Sequence, residues 1–281
     1  MRADGRAVVA VRYLLLVVVG VCLALPLVWA LAGAVKPLEE IYATPPQVLT
    51  EHPQWSNFLD AMRRLPFLRF MINSLLIALP AVCGAVLTSA MAGYAFARLQ
   101  WRGRRWWFLV LLASLVVPAQ VLLVPHFLLF SALGWVNTFK PLIVPAWLGG
   151  GAFNIFLFCQ FFRTIPREFS DAALVDGASQ WMVFTRIMLP LAKPAVATVA
   201  LLSFVYHWQD FIRPLIYLSD FRTYPVALGL RMYQSTDGSW MNLVLAASLV
   251  ALVPVAVVFF FLQKHLRSGL TPGAKTAPRM P

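Results

Sequence analysis

Charged residues are scarce in this chain of 281 residues. Asp, Glu, Lys and Arg make up 12% of it, whereas hydrophobic residues make up 60% and the mean hydropathy is +0.76. An average soluble domain contains about 25% charged residues. At about half that share, a water-soluble fold of this length would lack the polar surface it needs. The composition therefore excludes an ordinary soluble protein and indicates that lipid is the solvent for most of the chain.

Cysteines are also few, and they are scattered. Cys22, Cys83 and Cys159 lie in three different apolar runs, with no CxxC or Cys/His spacing, so the sequence indicates neither a disulfide framework nor a zinc site. None of the 15 glycines is followed by lysine, and a phosphate-binding loop of the ATPase type needs that pair. We expect this chain to bind no metal and no nucleotide.

Long uncharged runs take the place of the missing charges. They are continuously apolar over about 20 residues and lack the alternation of an outer-membrane barrel, so helices are the structure that satisfies their backbone in hydrocarbon. The first run is too long for a signal peptide and no small-residue cleavage site follows it, so we expect a retained helix. The prediction is an all-α integral membrane protein with six transmembrane helices, at about 13–35, 70–97, 106–130, 141–162, 194–212 and 241–263.

Basic residues divide unequally between the two sides of these six segments. One side holds 15 Lys and Arg and the other holds 8, and the richer side marks the cytoplasm. The sequence thus predicts cytoplasmic tails at 1–12 and 266–281 around a transmembrane domain at 13–265. Because the charges fall between apolar runs, the net charge of +12 is mainly a topology signal, with a secondary role at anionic lipid headgroups. Nucleic acid is not an expected partner.

Two loops are too long to be simple connectors. The outer loop, 36–69, mixes prolines with Trp55 and Phe58, which favours an irregular surface at the level of the lipid headgroups. The inner loop, 163–193, has the signals of two short helices and is the more informative of the two.

The inner loop begins its first predicted helix at Pro166, with Glu168 and Asp171 in the first turn, where the positive end of the helix dipole favours acids. Gly177 follows that helix as a C-cap and is expected at a positive φ, or at a close contact.

The second predicted helix of the loop runs from Ser179, its N-cap, to Met188, and Pro190 ends it. Two such helices joined by a glycine suit the groove of a partner protein. Composition alone leaves open the alternative that the pair lies on the membrane surface.

The spacing of this loop resembles the EAA motif of ABC importer permeases. Asp171-Ala172-Ala173 is separated by three residues from Gly177, and Gly177 by nine from Ile187-Met188-Leu189-Pro190. The departure is Asp171, where the family commonly has Glu. Further matches point to the maltose-type, carbohydrate-uptake branch, and they are Asn73-Ser74, Gly93 to Arg98, Val117-Pro118 with Gln120 and Pro125, Trp208 to Phe211 with Pro214-Leu215, and Gly269 to Ala274.

This resemblance implies a type I ABC importer permease fold in the bacterial plasma (inner) membrane. In that family the loop docks into a groove on a cytoplasmic ATPase dimer, which holds the ATP and Mg. A second, different permease subunit and an extracytoplasmic solute-binding protein are the other implied partners. The solute would be a sugar, an oligosaccharide or a glycerol phosphate. The implied ATPase-coupling residues are Glu168, Asp171, Ala172, Ala173, Asp176 and Gly177.

Polar residues inside the apolar runs are candidates for contact with the solute, although packing between helices is the alternative for each of them. Gln120 follows Pro118, where the helix is expected to break, and Asn154 follows three glycines. Broken helices are where transport pathways form. Asn73 and Trp208 complete the candidate pathway, although an interfacial position of Trp208 is the alternative to its stacking on a sugar ring.

Two other functions compete with the ABC permease. A secondary carrier driven by an ion gradient would favour charged residues within the helices, and apart from the terminal Asp210 the runs have none. A noncatalytic membrane scaffold would explain the topology but not the EAA-like loop. Co-purification of an ATPase would separate these three interpretations.

Labelling of single cysteines in intact cells tests the topology. Positions in the 36–69 and 213–240 loops should react with a membrane-impermeant thiol reagent, because the side with fewer Lys and Arg is expected outside. A cysteine at Ser179 should stay unlabelled until the membrane is opened, and its labelling in intact cells would overturn the topology.

Overall fold

The computed structural model describes residues 2–45, 47–235 and 238–269, and most of them are helical. The predicted tail at 266–281 lies mostly outside the described residues. The elements in chain order are α1 (Arg2–Ala34), α2 (Leu38–Ile41), α3 (Ser56–Arg64), α4 (Phe67–Arg98), α5 (Arg104–Ser114), a 3₁₀ turn (Ala119–Leu122), α6 (Leu123–Ala132), α7 (Lys140–Trp147), α8 (Ala152–Thr164), α9 (Glu168–Val175), α10 (Gln180–Val183), a π turn (Phe184–Met188), α11 (Leu189–Leu191), α12 (Lys193–Trp208), α13 (Ile212–Tyr217), a 3₁₀ turn (Phe221–Thr223), α14 (Val226–Arg231), the hairpin strands β1 (Gln234–Ser235) and β2 (Gly238–Ser239), and α15 (Met241–Gly269).

Six helical segments of the described chain are long and apolar enough to cross a bilayer, if each bent pair counts as one span. Two of them are bent pairs, namely α5 with the residues Ala119–Ala132, at 93°, and Gln180–Leu191 with α12, at 77°. The predicted all-α membrane fold with about six spans is therefore confirmed. The four remaining spans are Val11–Ala34, Phe67–Arg98, Lys140–Thr164 and Met241–Leu266.

The third predicted segment, 106–130, is the clearest case of a broken span. Pro118 has ψ 130 and precedes the 3₁₀ turn, so the chain leaves the α5 direction there. A proline has no amide hydrogen to donate, and it disfavours the helical region for the residue before it. The break expected near Pro118 is thus confirmed, although the two halves diverge far more than a kink would require.

The described chain divides into two compact units, residues up to Leu68 together with Gly229–Val253, and Arg69–Leu228 together with the residues from Pro254 onward. In the first unit, α1 meets the rest of the unit chiefly through its last turn, because its apolar side chains are exposed over most of its length. Helices α2 and α3 lie within the 36–69 loop, so this loop is more ordered than the irregular surface that its prolines suggested.

A chain of asparagine hydrogen bonds ties the helices of the first unit together. The side-chain amide of buried Asn57 donates to the carbonyls of Ala34 and Lys36, each at 2.9 Å. Asn242, at the start of α15, donates to Asn57 Oδ1 at 3.2 Å. Because Ala34 ends α1, its carbonyl has no helical partner, and Asn57 supplies the missing donor.

A buried tyrosine adds a second link within the first unit. The Tyr233 hydroxyl donates to the Ala61 carbonyl in α3 at 2.6 Å. Burial raises the pKa of Tyr233 to about 12, so the hydroxyl stays protonated and able to donate. The region around α3 is therefore fixed by side-chain hydrogen bonds rather than by apolar packing alone.

The second unit has its main core where α4 packs against α8 and α12. The two backbones of α4 and α8 approach closely at Gly93, where a Cβ would lie 2.5 Å from Phe158 Cβ and 3.0 Å from the Cys159 nitrogen. A larger residue cannot occupy this position without moving one of the two helices. The buried core comprises Ala90, Tyr94, Ala97, Phe158, Cys159, Phe162, Ile165, Val183, Phe184, Met188, Ala192, Ala195 and Val199.

Replacing Gly93 with valine should lower the stability of the folded chain. The added carbons would push α4 away from Phe158, and overpacking of this kind costs roughly 1–3 kcal/mol. Thermal unfolding of the purified protein in detergent measures the effect. Gly20→Val is the matched control, since no atom lies within 4 Å of a Cβ built there. Equal melting temperatures for the two variants would contradict the close approach.

Candidate functional site

The inner loop folds as two short helices that meet at a glycine turn, as its sequence predicts. Helix α9 begins at Glu168, two residues after Pro166, and has Glu168 and Asp171 in its first turn. Its first-turn acids face the positive end of the helix dipole. Within the turn, the Ser170 hydroxyl donates to the Arg167 carbonyl at 2.9 Å, which closes the start of the helix.

Gly177 ends the first helix with a left-handed backbone. Its φ is +85°, its amide donates to the Leu174 carbonyl at 3.1 Å, and the next amide, of Ala178, reaches back to the Ala173 carbonyl at 2.9 Å. These bonds are those of a helix C-cap, and the positive φ expected for Gly177 is confirmed. No atom lies within 4 Å of a Cβ built at this position, so the requirement for glycine comes from the backbone conformation and not from crowding.

The second helix starts as predicted but ends later. Ser179 is its N-cap, and its hydroxyl accepts the Met182 amide at 3.2 Å. The expectation that Pro190 ends this helix is wrong, since helical structure continues through a π turn to Leu191 and the chain bends only at Ala192. The π turn at Phe184–Met188 widens the hydrogen-bond pattern just before the proline, so the missing amide of Pro190 does not break the helix.

The helix pair, residues 168–191, presents an exposed ridge. Glu168, Asp171, Ala172, Asp176 and Gly177 are exposed, and Ala173 is half-buried against the core described above. Among the described side chains, none of the three carboxylates has a cation within ion-pair distance. Large apolar side chains lie beside them, among them Val175, which is 88% exposed, and Trp181, which is 60% exposed.

The opposite side of the second helix is anchored in the core. Val183 and Met188 are fully buried. Phe184 packs on the Tyr94 ring at 5.2 Å and on Trp181 at 5.5 Å between ring centroids. The helix pair is therefore an exposed ridge on a rigid base, rather than a loop that moves independently.

Two residues near the end of α4 fix the base of the helix pair, one through the pair itself and one through the end of α8 that leads into it, a role not expected from the sequence. The Arg98 guanidinium donates to the carbonyls of Phe162, at 2.6 Å, and of Ile165, at the end of α8. The Tyr94 hydroxyl donates to Gln180 Oε1 at 2.8 Å. We call these two side chains the α4 clamp. The available signal was a tyrosine and an arginine one helical turn apart at the end of an apolar run.

The polar candidates for the solute pathway lie on four different elements, and the structure gives most of them a packing role. Asn73 is buried and donates to the carbonyls of Arg222 and Tyr224, at 2.9 and 3.0 Å. Asn154 is half-buried and donates to the Gly150 carbonyl at 2.7 Å and to the Ser203 hydroxyl at 3.2 Å. These contacts favour the packing alternative for both asparagines.

The other two candidates differ in exposure. Gln120 is exposed in the 3₁₀ turn at the break between α5 and α6. Trp208 is buried and stacks on Phe204, with 5.4 Å between ring centroids. Its ring is thus enclosed within the fold of this chain.

Ionic contacts are rare in the part of the chain that the structure describes, where the only ion pair joins Asp210 and Arg213, with 2.6 Å between Oδ2 and Nε. Burial raises the pKa of the Asp210 carboxyl, and Arg213 opposes this rise. The Arg213 guanidinium also lies over the Tyr206 ring, 4.7 Å from its centroid. Among the described residues, no group of three or more His, Cys, Asp or Glu is placed to hold a metal ion.

Comparison with known proteins matches residues 84–272 to a family described as the inner membrane component of binding-protein-dependent transport systems. The diacetylchitobiose uptake system permease protein NgcG of Streptomyces coelicolor is 30% identical over 273 residues, which cover 96% of this chain and 90% of that protein. The arabinooligosaccharides transport system permease protein AraQ of Halalkalibacterium halodurans is 35% identical over 201 residues, which cover 72% and 71% of the two chains.

Solved structures give the same assignment of the fold. A chain from the crystal structure of a bacterial ABC transporter involved in the import of the acidic polysaccharide alginate aligns with a TM-score of 0.78 at 22% identity, over 94% of this chain and 98% of that one. This likeness confirms the type I importer permease fold. With its helix pair, its spans and its matched residues, the chain belongs to the family of inner membrane components of binding-protein-dependent transport systems, as a permease subunit and not an enzyme.

Proposed function

We propose that this chain forms half of the translocation pathway of an ATP-driven importer for a carbohydrate, and that residues 168–191 dock on the ATPase. The observation that carries this proposal is the exposed ridge with unpaired acids on a base anchored in the membrane core. A ridge that only packed against its own chain would bury its apolar side chains, whereas Val175 and Trp181 are exposed.

The solute class follows from the relatives. The two named above are permeases for diacetylchitobiose and for arabinooligosaccharides, and a trehalose/maltose permease of Thermococcus litoralis is 32% identical over 213 residues. These solutes are all oligosaccharides. The solute proposed for this chain is therefore a sugar or a sugar-like compound, delivered by an extracytoplasmic binding protein.

Besides the binding protein, two kinds of protein complete the proposed importer. An ATPase dimer supplies hydrolysis of ATP with Mg, since this sequence has no glycine followed by lysine. A second, different permease subunit completes the pathway. The apolar side chains of α1 are exposed over most of its length and are available for contact with that subunit. The assembly lies in the bacterial plasma membrane with both termini in the cytoplasm, as the distribution of Lys and Arg indicates.

Docking and transmission are assigned to different residues. Asp171 and Asp176 are exposed acids that suit a basic groove on the ATPase, and Ala172 permits close approach of the two backbones. The α4 clamp then carries movement of the helix pair into the membrane, because Tyr94 joins the second helix of the pair to α4 and Arg98 joins α4 to the end of α8, just before the pair. Motion of a docked pair would shift α4 as one body.

Contact with the solute is assigned to Gln120. Its side chain is exposed at a break between two helix segments that diverge by 93°, and broken helices line transport pathways. Asn154 lies beside a second break and would reach a solute only if it released Gly150 or Ser203. For Asn73 and Trp208 we propose packing roles within the pathway wall.

Charge reversal at Asp171 tests docking. Asp171→Lys should abolish attachment of the ATPase or its stimulation by loaded binding protein, because it places a cation against a basic groove and against the N-terminal dipole of α9. Asp171→Glu, which restores the acid common in the family, is the matched control and should retain activity. Subunit stoichiometry and solute-stimulated phosphate release in lipid vesicles give the two readouts. Normal values for Asp171→Lys would overturn the assignment.

The backbone at Gly177 provides an independent test. Gly177→Val should uncouple hydrolysis from transport, since a β-branched residue is strained at φ +85° and would redirect the second helix. Gly177→Asn should be nearly normal, because asparagine tolerates this conformation. Both variants lie outside the membrane spans and should insert normally. Equal solute-stimulated hydrolysis for the two variants would show that coupling does not depend on the positive φ at residue 177.

The α4 clamp gives a different phenotype from docking. Tyr94→Phe and Arg98→Gln should leave the ATPase attached but reduce solute-stimulated hydrolysis severalfold, because each removes hydrogen bonds worth about 1–3 kcal/mol without changing any of the exposed acids of the ridge. Tyr13→Phe, at an exposed tyrosine in α1, is the control for loss of a hydroxyl. If both clamp variants keep wild-type stimulation, α4 does not carry the signal.

A further inference from the structure

A short turn between α4 and α5 concentrates tryptophan and arginine. Residues 101–107 hold Trp101, Arg102, Arg104, Arg105, Trp106 and Trp107, with Gly103 between the first two arginines. All three indoles are exposed, Trp106 at 75%. We call this segment the Trp–Arg turn. It directly follows one predicted span and opens the next, so it lies at the membrane boundary.

Hydrogen bonds hold the Trp–Arg turn against the end of α4. The Arg104 guanidinium donates to the Leu99 carbonyl at 2.9 Å, and the Trp101 indole donates to the Ala95 carbonyl at 3.4 Å. The Trp101 ring also packs on Phe96, at 5.6 Å between centroids. A ligand would therefore meet a preformed surface and would not have to order the turn.

An open cleft in this turn offers unneutralised cations. It has a volume of about 410 Å³ and is lined by Gln100, Trp101, Gly103, Arg104, Arg105 and Trp106. Among the described side chains, no carboxylate lies within ion-pair distance of Arg102, Arg104 or Arg105. Guanidinium groups bind phosphate with paired hydrogen bonds. The arginines of this cluster have N–H groups that no carboxylate accepts from, so they are available to a phosphate.

The side chains around the cleft indicate whether its phosphate belongs to a lipid headgroup or to a soluble phosphate ester. Exposed indoles prefer the headgroup level of a bilayer, and beyond the turn α5 exposes Leu109 and Val110, which suit acyl chains. A soluble phosphate ester would use neither. We propose that the Trp–Arg turn binds the headgroup phosphate of one anionic phospholipid, with its acyl chains along α5. This site is separate from the docking ridge and does not depend on which solute is carried.

Native mass spectrometry of the purified full-length protein in its complex tests the proposal, with phosphatidylglycerol or phosphatidylcholine titrated into the detergent. Arg102→Gln/Arg105→Gln should weaken retention of phosphatidylglycerol roughly 30-fold, at about fivefold for each basic residue near the surface. Arg102→Lys/Arg105→Lys should keep most of the binding, since the charges remain. Arg12→Gln/Lys193→Gln removes two exposed cations elsewhere on the same predicted side and should leave retention unchanged.

Three results would overturn the site. The first is equal retention of the two lipids by the unmodified protein, and the second is an equal loss in both glutamine variants, which would indicate a general charge effect. The third is displacement of phosphatidylglycerol by an equal concentration of inorganic phosphate, which would point to a soluble anion site. Thermal unfolding of each variant, matched to the unmodified protein, ensures that loss of lipid reflects the site and not misfolding.

Discussion

A peptide group in hydrocarbon has no water to hydrogen-bond with, so wherever a helix of this protein ends or bends, another group has to supply the missing partner. The structure meets this requirement with side chains. Asn57 donates to the carbonyls that end α1, Asn154 donates to the Gly150 carbonyl before α8, and Arg98 donates to the carbonyls at the end of α8. Asn154 does this from within an apolar run, whereas Asn57 lies in the outer loop and Arg98 directly follows a run.

The same constraint explains how a membrane helix can bend without being lost. At Pro118 the chain turns sharply and exposes Gln120, whereas at Pro190 a π turn absorbs the missing amide and the helix continues. The first arrangement leaves Gln120 exposed at the break, and the second gives the second helix of the pair an unbroken course as far as Leu191. Proline has the same covalent chemistry at both sites, so the hydrogen-bond pattern of the preceding turn decides the outcome.

The residues proposed for coupling and those proposed for lipid contact lie close together in the sequence. Tyr94 bonds to the helix pair, Arg98 bonds to the end of α8, and the Trp–Arg turn follows within a few residues. If the turn holds a lipid, the end of α4 is anchored at the headgroup level while the helix pair moves with the ATPase. That arrangement would give α4 a fixed pivot, so displacement of the helix pair would tilt the helix along the pathway rather than slide it out of the membrane.

The membrane spans and the main features of the helix pair could be predicted from the sequence alone, because their signals are local. Apolar runs of spanning length predicted the helices, and residues within one turn of each other predicted Ser179 as an N-cap and a positive φ at Gly177. The tertiary structure decided the partners of polar side chains, since Asn73 donates to a carbonyl 149 residues away and Tyr94 to a residue 86 away. No local pattern shows which helix end an asparagine will reach, or that Trp208 is buried. Those outcomes depend on how distant segments pack. That packing decides whether a buried polar group finds a hydrogen-bond partner or carries the free-energy cost of lacking one.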